Sequence, residues 1–517
     1  MKKIIKIINL RLYLCLIFVL SVFSEAQVFP GDYISKEHRN LFVPPTLQEN
    51  FYKVEVQTLH FFDRQKSSIN GLVESFRGSS RYAYDLFTQA FTFGRGGVLD
   101  AQSFTYDCAV SALCYLIAGQ SKKTADILDI YAMDFYNQKN GAIGLYNSYA
   151  TDKPYDNSLA VGIDSRVHLG PNMWVAIAAL QYTALTGDLK YLDFIIDMIK
   201  WAMSLNHHQY SDGKRGGVSM GFGWGPDWSQ VYSTENNIDY YAVLKMLKEI
   251  YNSGNVKAKK IFEKRNFGLK DIDEELNGLT RWFKEVVYDN EKKYLYMGYN
   301  EKGPDKVAAL DTVSWAITGI TPEDLVKMGI DPFKLMDFAE RTFRVADYIN
   351  GVRVEGYDFT DVEGRKNNFR MIWMEGTAFQ TVAFQVMSQY AKKMGLKNEE
   401  EKYRSAAIRF SGELERVSIL VNFADNALPY TSKNPKEQEI VLSFANEWEI
   451  PRGNDGQWVA SASSTGWRYF ALTGFNPMVF DKDNVSYALF SKPKASSLPE
   501  PPSKISAVSS SLTIVSN

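Results

Sequence analysis

The chain has 517 residues, of which 45% are hydrophobic, 14% aromatic and 23% charged, and its formal net charge is −2. This composition excludes an intrinsically disordered chain, and the near-neutral charge excludes a dedicated nucleic-acid-binding protein. Three cysteines exclude a disulfide scaffold in a chain of this length, and five histidines leave little room for a multi-histidine metal centre.

The N-terminal segment has the pattern of a cleaved secretory signal. A basic start leads into the apolar run 12–23, and small residues follow at Ser24 and Ala26, as signal cleavage requires. The run is shorter than a comfortable membrane span, so a retained anchor is the less favoured alternative. We expect residues 1–26 to be removed and the mature chain to be periplasmic or secreted, with no membrane span.

After this signal, residues 27–66 are expected to form an N-terminal extension whose packing the sequence does not predict. Beyond it, apolar residues recur at helical spacing. The predicted helices are, in chain order, 67–92, 104–118, 122–136, 171–185, 189–205, 235–251, 256–288 with a break near 266–268, 311–318, 332–346, 375–393, 399–417 and 457–472. Short strand patterns at 293–299 and 351–359 predict hairpins in the connections. Residues 481–517 form a predicted tail that is Ser/Pro-rich and partly disordered.

Two kinds of helix alternate along the chain. Segment 171–185 is apolar almost all round, which indicates burial on both sides, whereas 189–205 is amphipathic. The turn Thr186-Gly187-Asp188 joins them. This pair of inner and outer helices recurs roughly every 65 residues, with inner helices that begin near Tyr106, Pro171, Glu235, Asp311, Glu375 and Ser463. Six such hairpins predict a closed all-α ring, an (α/α)6 toroid; an open solenoid or an irregular bundle is the alternative.

The start of each inner helix carries polar and aromatic side chains that a buried helix does not need. A helix cap explains one such start well but six aromatic-bearing starts poorly. In a closed ring the six starts would meet at one end and form a cleft suited to sugar rings. Trp224 and Trp228 lie in the glycine-rich loop 216–228 and are expected to be exposed above this cleft. The predicted substrate-binding residues are Tyr106, Asp107, Asp164, Arg166, His168, Asn172, Trp174, Trp224, Trp228, Asn236, Asp239, Trp315, Trp373 and Trp467. For Trp174 and Trp467, packing in the core is an equal alternative.

These motifs resemble a known superfamily. YD at 106–107, HLGPNMW at 168–174, STENNID at 233–239, LDTVSW at 310–315, WMEGTAF at 373–379 and STGW at 464–467 are similar to those of the six-hairpin glycosidases. The resemblance covers residues 67–480 and implies a single (α/α)6-barrel catalytic domain that acts on poly- or oligosaccharides. Some polysaccharide lyases and sugar epimerases have a similar toroid.

Glycoside hydrolysis requires two carboxyl groups, one protonated and one ionised. Glu375 is the favoured general acid, because it follows an apolar run and Trp373 would raise its pKa by desolvation. Gly376 would leave room for the substrate, although a buried strut between helices is the alternative role for Glu375. Asp311 and Glu235 are the favoured partners, and a helix N-terminus should lower the pKa of Glu235, which suits a base.

The sequence therefore predicts an exported, monomeric glycoside hydrolase that acts on a carbohydrate polymer or oligosaccharide without a metal or other cofactor. One alternative is a polysaccharide lyase that uses Arg166, His168, Tyr106 and Asn172 on a uronate polymer. The other is a non-catalytic carbohydrate-binding or polysaccharide-assembly protein.

Overall fold

The computed structural model describes most of the chain between residues 33 and 490. The described residues are 33–77, 101–138, 143–156, 158–223, 225, 227–362, 364–365, 369–433, 440–441, 448–451 and 457–490. The predicted signal 1–26, Trp224 and the tail from residue 491 lie outside this set. Among the described helices, none is both long and apolar enough to cross a membrane.

Six inner helices form a closed ring. Each contacts the next one along the chain, and the sixth contacts the first. In order they are Thr105–Ile117, Leu169–Thr186, Thr234–Tyr251, Leu310–Trp315, Met374–Lys393 and Ala462–Thr473. The fourth continues as a π-helical turn over Ala316–Ile320. The predicted (α/α)6 toroid is therefore confirmed.

The outer helices cover this ring. They are Ser121–Asn137, Leu192–Ser204, Leu269–Trp282, Pro332–Thr342 and Lys397–Val421 for the first five hairpins. Val256–Lys264 precedes the third, which ends in a π-helical turn at Phe283–Val287. The break near residue 266 is thus confirmed, as is the turn at Gly187, which the structure shows to be left-handed (φ 74°).

The sixth outer helix comes from the N-terminal segment. Helix Phe51–Gln65 packs against the sixth and first inner helices and buries Phe61 and Phe62 in the common core. Two short helices, Lys36–Phe42 and Pro45–Gln48, precede it. The segment 27–66, set apart as an extension in the sequence analysis, thus contains the helix that completes the ring.

Three predicted helices are wrong at their ends. Residues 67–77 form a turn, a bridge and the strand Phe76–Arg77, because Ser67 Oγ accepts the N–H groups of Ile69 and Asn70 and Gly71 is left-handed (φ 80°). Residues 344–346 belong to a β-hairpin, and residues 457–461 precede the sixth inner helix. Residues 78–92 lie outside the described set.

Short antiparallel strands frame the starts of the inner helices. The pairs are Phe76–Arg77 with Ala460–Ser461, Gln102–Phe104 with Ser148–Ala150, Val167–His168 with Gly221–Phe222, His207–Gln209 with Arg215–Val218, Arg344–Ile349 with Val352–Tyr357, and Ile440–Val441 with Trp448–Glu449. A further sheet contains Tyr232–Ser233, Tyr288–Asp289, Tyr294–Asn300 and Gly303–Ala308. Both predicted hairpins are present.

A recurring hydrogen bond holds these loops on the helices. Four residues after the N-cap, a side chain accepts the backbone N–H of a residue in the preceding loop. The acceptors are Cys108, Asn172, Asn237, Thr377 and Thr465, and the donors are Val73, Leu145, Val218, Tyr357 and Leu428, at 2.7–3.5 Å. The fourth inner helix has Val313 at this position. We call these bonds the loop clips; each gives a backbone N–H group a hydrogen-bond partner.

Candidate active site

The second residue after each N-cap faces the axis of the toroid at one end. From the first to the sixth hairpin these residues are Tyr106, Gly170, Glu235, Asp311, Glu375 and Ser463, and we call them the rim layer. Their side chains meet across the ring: Tyr106 and Ser463 both hydrogen-bond to Glu375. The charges of Asp311 and Glu375 also act on Glu235, so the three favoured catalytic residues, far apart in sequence, lie in one cluster.

Glu375 is held at both carboxyl oxygens. Trp467 Nε1 donates to the Tyr106 hydroxyl at 2.6 Å, so Tyr106 uses its own hydrogen to donate to Glu375 Oε1. Ser463 Oγ donates to Glu375 Oε2 at 2.7 Å. The Glu375 residue is only 4% exposed. This arrangement fixes the orientation of the carboxyl group.

Burial keeps Glu375 protonated near neutral pH. It raises the pKa of Glu375 to about 8; the negative charge of Asp107 adds to the rise, and the hydrogen bonds from Tyr106 and Ser463 oppose it. Burial likewise raises the pKa of Asp107 to about 7, against hydrogen bonds from Ser75 and Ser463. A carboxyl group protonated at neutral pH is able to act as a general acid.

Glu235 and Asp311 lie next to each other and to Glu375. Burial raises the pKa of Glu235 well above its usual value, and the charges of Asp311 and Glu375 add to that rise. The prediction that the helix N-terminus lowers this pKa is wrong, because burial and neighbouring charges outweigh the dipole. Burial also raises the pKa of Asp311, although the Thr312 N–H opposes it. Such neighbouring carboxyls share protons, so one is ionised while another is protonated.

A second layer closes the bottom of the cleft. Six residues after each N-cap the chain places Val110, Trp174, Asp239, Trp315, Phe379 and Trp467, which we call the floor layer. The Trp174 ring lies 5.4 Å from Trp315 and 5.6 Å from Trp467, centroid to centroid. All three tryptophans are at most 2% exposed. They form a buried floor, which is the core alternative given for Trp174 and Trp467, whereas Trp315 was predicted only as a substrate-binding residue.

Asp239 is the one acid of the floor layer. It is fully buried, and neither of its carboxyl oxygens has a hydrogen-bond partner in the described part of the chain. Burial and the charges of Glu235 and Asp311 raise its pKa well above the usual value, and the Trp174 indole opposes the rise. Burial therefore favours the neutral form of Asp239, which lies one turn below Glu235.

Trp373 and Gly376 support Glu375 from outside the cleft. The Trp373 ring packs 5.1 Å from both Phe359 and Phe379 and is 4% exposed. A Cβ at Gly376 would clash with this ring. Gly376 thus makes room for Trp373 and not for the substrate, and Trp373 is a core residue rather than a sugar platform.

The second hairpin builds a separate polar group beside the rim layer. Arg166 donates to both oxygens of Asp164, at 2.8 and 2.6 Å. Burial favours a higher pKa for Asp164, but the Arg166 guanidinium brings it below its usual value. Trp228 packs against His168, with ring centroids 4.8 Å apart, and under Arg166.

Two predictions for this hairpin are wrong. Trp228 starts the 3-10 helix Trp228–Gln230 and is 2% exposed, so it does not cover the cleft as an exposed residue. Asn172 forms a loop clip: its amide bonds the backbone of Leu145 and the carbonyl of His168, which leaves no atom of it for a substrate.

Two residues that hydrogen-bond to predicted site residues were not identified as such from the sequence. Ser463 was recognised only as a helix start, yet it occupies the same position after the N-cap as Glu375 and Asp311, and that spacing would have identified it. Asn147, which holds His168, lies in a loop without any periodic signal. In the described residues, no group of three or more His, Cys, Asp or Glu side chains is arranged to hold a metal ion.

Comparisons with known proteins agree with this architecture. No protein-family model matches the chain, and no curated protein matches it. A solved glycosidase variant matches over 84% of this chain and 100% of its own, with 9% identity and a TM-score of 0.50. A cellobiose 2-epimerase from Spirochaeta thermophila DSM 6192 (14% identity, 84% and 99% covered, TM-score 0.48) and a family 76 glycoside hydrolase from a bovine Bacteroides thetaiotaomicron strain (10% identity, 81% and 77% covered, TM-score 0.45) are also similar. At these identities the likeness concerns the fold alone, and the match to the glycosidase variant agrees with the toroid described above.

Proposed function

We propose that the chain is a glycoside hydrolase with Glu375 as its general acid. One observation carries this proposal: carboxyl groups from four different hairpins, those of Asp107, Glu235, Asp311 and Glu375, gather at one end of the toroid with pKa values raised by burial. Buried acids are normally paired with bases. A cluster of acids that has no basic partner among the described residues costs stability, which is typical of an active site.

The proposed reaction assigns one role to each side of the cluster. Protonated Glu375 gives its proton to the glycosidic oxygen as the bond to the anomeric carbon breaks. Ionised Asp311, favoured by the Thr312 N–H, acts on the anomeric carbon directly or through a water molecule, with Glu235 as the alternative. Tyr106 and Ser463 hold the acid in place.

The same contacts weigh against a polysaccharide lyase. A lyase needs a cation to neutralise the uronate and a free base, but Arg166 is paired with Asp164 and Asn172 is committed to the backbone. Tyr106 is bonded to Trp467 and Glu375. Burial and the Arg166 charge lower the pKa of His168 to about 3, so this histidine carries no positive charge at neutral pH.

A panel digestion tests the proposed reaction. The wild-type protein is incubated with neutral, uronic and amino-sugar glycans, and new reducing ends and near-ultraviolet absorbance are measured. We expect new reducing ends without absorbance. Absorbing products would instead establish a lyase, and glycans that bind without being cleaved would establish a binding protein.

We also propose that the protein is exported. The basic start, the apolar run 12–23 and the small residues Ser24 and Ala26 support this proposal. N-terminal sequencing of the protein recovered from the cell envelope or medium is expected to begin at Gln27. A protein that remains inside the cell with Met1 or Lys2 at its start would contradict it.

A further inference from the structure

The rim layer lacks a side chain at the second hairpin, and we call this position, Gly170, the gap. Gly170 occupies the position that carries Tyr106 or Glu375 in other hairpins. A Cβ at Gly170 would lie 2.6 Å from Nδ2 of Asn236, so the Asn236 side chain, on the third inner helix, packs against this glycine. Trp174, one turn further along, closes the bottom of the gap in the floor layer.

Two buried polar atoms without partners belong to residues close to Gly170, one in the chain and one in space. His168 Nε2 lies two residues before Gly170, and Asn236 Oδ1 lies against Gly170. The two residues are 5% and 4% exposed, and neither atom has a hydrogen-bond partner among the described residues. Buried polar atoms are almost always paired in folded proteins, so these two indicate a site for a ligand with hydrogen-bonding groups.

The contacts of His168 determine which of its nitrogens carries the hydrogen. Asn147 Oδ1 accepts the His168 backbone N–H at 3.1 Å, which fixes the orientation of the Asn147 amide. Asn147 Nδ2 therefore points to His168 Nδ1, at 3.1 Å, and donates to it. Since a neutral imidazole has one acceptor and one donor nitrogen, Nε2 carries the hydrogen. This part of the second and third hairpins thus offers one neutral donor, His168 Nε2–H, and one neutral acceptor, Asn236 Oδ1.

The charge around the gap disfavours an anionic ligand. The guanidinium of Arg166 is paired with Asp164, and burial with the Arg166 charge keeps His168 neutral, with a pKa of about 3. The neighbouring rim residue Glu235 adds negative charge whenever it ionises. A uronate carboxylate would therefore meet no unpaired cation there and would be repelled by the acids.

We propose that His168 and Asn236 form a subsite for one neutral sugar unit of the substrate. This inference rests on the proposed function. His168 Nε2–H donates to a hydroxyl oxygen of that sugar, and Asn236 Oδ1 accepts the hydrogen of a hydroxyl group. The side chains orient the sugar beside Glu375, and they select neutral sugars over uronates.

The test measures binding separately from cleavage. Cello-, manno-, xylo- and malto-oligosaccharides and, as the anionic set, oligogalacturonates are titrated into the Glu375→Gln protein by calorimetry. The same titrations use Glu375→Gln combined with His168→Phe, which keeps a ring against Trp228, or with Asn236→Leu, which keeps the side-chain shape. His60→Phe, at an exposed histidine of the outer helix Phe51–Gln65, is the matched control.

We expect at least one neutral series to bind and oligogalacturonates not to bind. Each subsite variant should weaken that binding about three- to tenfold, since a lost neutral hydrogen bond contributes about 0.5–1.5 kcal/mol, while His60→Phe should change nothing. Preferential binding of oligogalacturonates, or unchanged binding in both subsite variants, would overturn the inference. If no glycan is cleaved by the wild type or bound by Glu375→Gln, the proposed function itself fails.

Monodeoxy substrates keep the test decisive if a variant misfolds. On the neutral glycan that the wild type cleaves, removal of the recognised hydroxyl should lower kcat/KM about tenfold, and the folded variant should lose this discrimination. Equal rates on every monodeoxy analogue would contradict the subsite.

Discussion

The neighbours of Glu375 shift its pKa in opposite directions. Burial and the Asp107 charge favour its protonated form, whereas Tyr106 and Ser463 favour the ionised form. The positions of Glu375, Asp311 and Glu235 in one cluster follow from helix-start spacing and could be predicted from the sequence. The roles of Asn172, Trp228 and Gly376 could not, because their partners come from loops distant in sequence.

These opposing effects predict opposite shifts in the pH profile. If Glu375 is the acid, kcat/KM falls as the pH rises through its pKa, about 8 in the free enzyme. Asp107→Asn removes a charge that raises this pKa and should move the falling limb to lower pH. Tyr106→Phe removes a hydrogen bond that lowers it and should move the limb to higher pH. The pH dependence of kcat/KM measures both shifts.

The exposed Glu401→Gln is the control for these profiles and should leave the limb in place. Shifts of Asp107→Asn and Tyr106→Phe in the same direction would show that Glu375 does not control the limb.

The raised pKa of Glu375 also predicts how stability depends on pH. Its usual pKa of 4.5 becomes about 8 in the folded state, so between these values the folded protein holds a proton that the unfolded chain releases. Stability from this group therefore falls as the pH rises through that window. Glu375→Gln has no such proton, and its Tm advantage over the wild type should grow from about pH 5 to about pH 9 by a few degrees. Thermal unfolding of both proteins across this range is the measurement, and a constant difference would contradict the buried, protonated state.

At the scale of single elements, the loop clips connect five of the six inner helices to the chain segment before each of them. Their positions, four residues after each N-cap, are visible in the sequence only once the caps are known. The helix ends that were predicted wrongly illustrate the same limit. Apolar spacing continues through residues 67–77, but the Ser67 turn and the left-handed Gly71 stop a helix there.

Substitutions of Thr465 test how much a loop clip contributes to stability, with little change in side-chain shape. Its Oγ1 accepts the Leu428 N–H at 3.0 Å in the buried core. Thr465→Val keeps the volume but leaves that N–H unpaired, so it should lower the free energy of unfolding by about 1–3 kcal/mol. Thr465→Ser keeps the hydroxyl and should cost clearly less. Denaturant unfolding monitored by tryptophan fluorescence compares them; a larger loss in the serine variant would show that the methyl group, not the hydrogen bond, matters.

At the scale of the whole molecule, the ring is closed by chain segments from opposite ends. The sixth inner helix, Ala462–Thr473, packs against Phe51–Gln65, more than 400 residues earlier. Periodicity predicted six hairpins correctly but could not show that the last one takes its outer helix from the N-terminal segment, because no local signal links the two.

Ring closure predicts that the N-terminal helix stabilises the toroid as a whole. Phe62 is fully buried in the common core, whereas Tyr52 on the same helix is 69% exposed. Phe62→Ala should lower the free energy of unfolding by about 3–5 kcal/mol, and Tyr52→Ala should change it by less than about 0.5 kcal/mol. Thermal or denaturant unfolding measures both. A small loss in Phe62→Ala would show that the helix is a dispensable extension.

The most direct test of the central claim is the rate of Glu375→Gln on whichever glycan the wild type cleaves. The account predicts that kcat falls at least about 100-fold, as is typical for loss of a general acid, while the glycan still binds and the exposed control Glu401→Gln retains full activity. A Glu375→Gln protein that binds the glycan and cleaves it within tenfold of the wild-type rate would contradict the account.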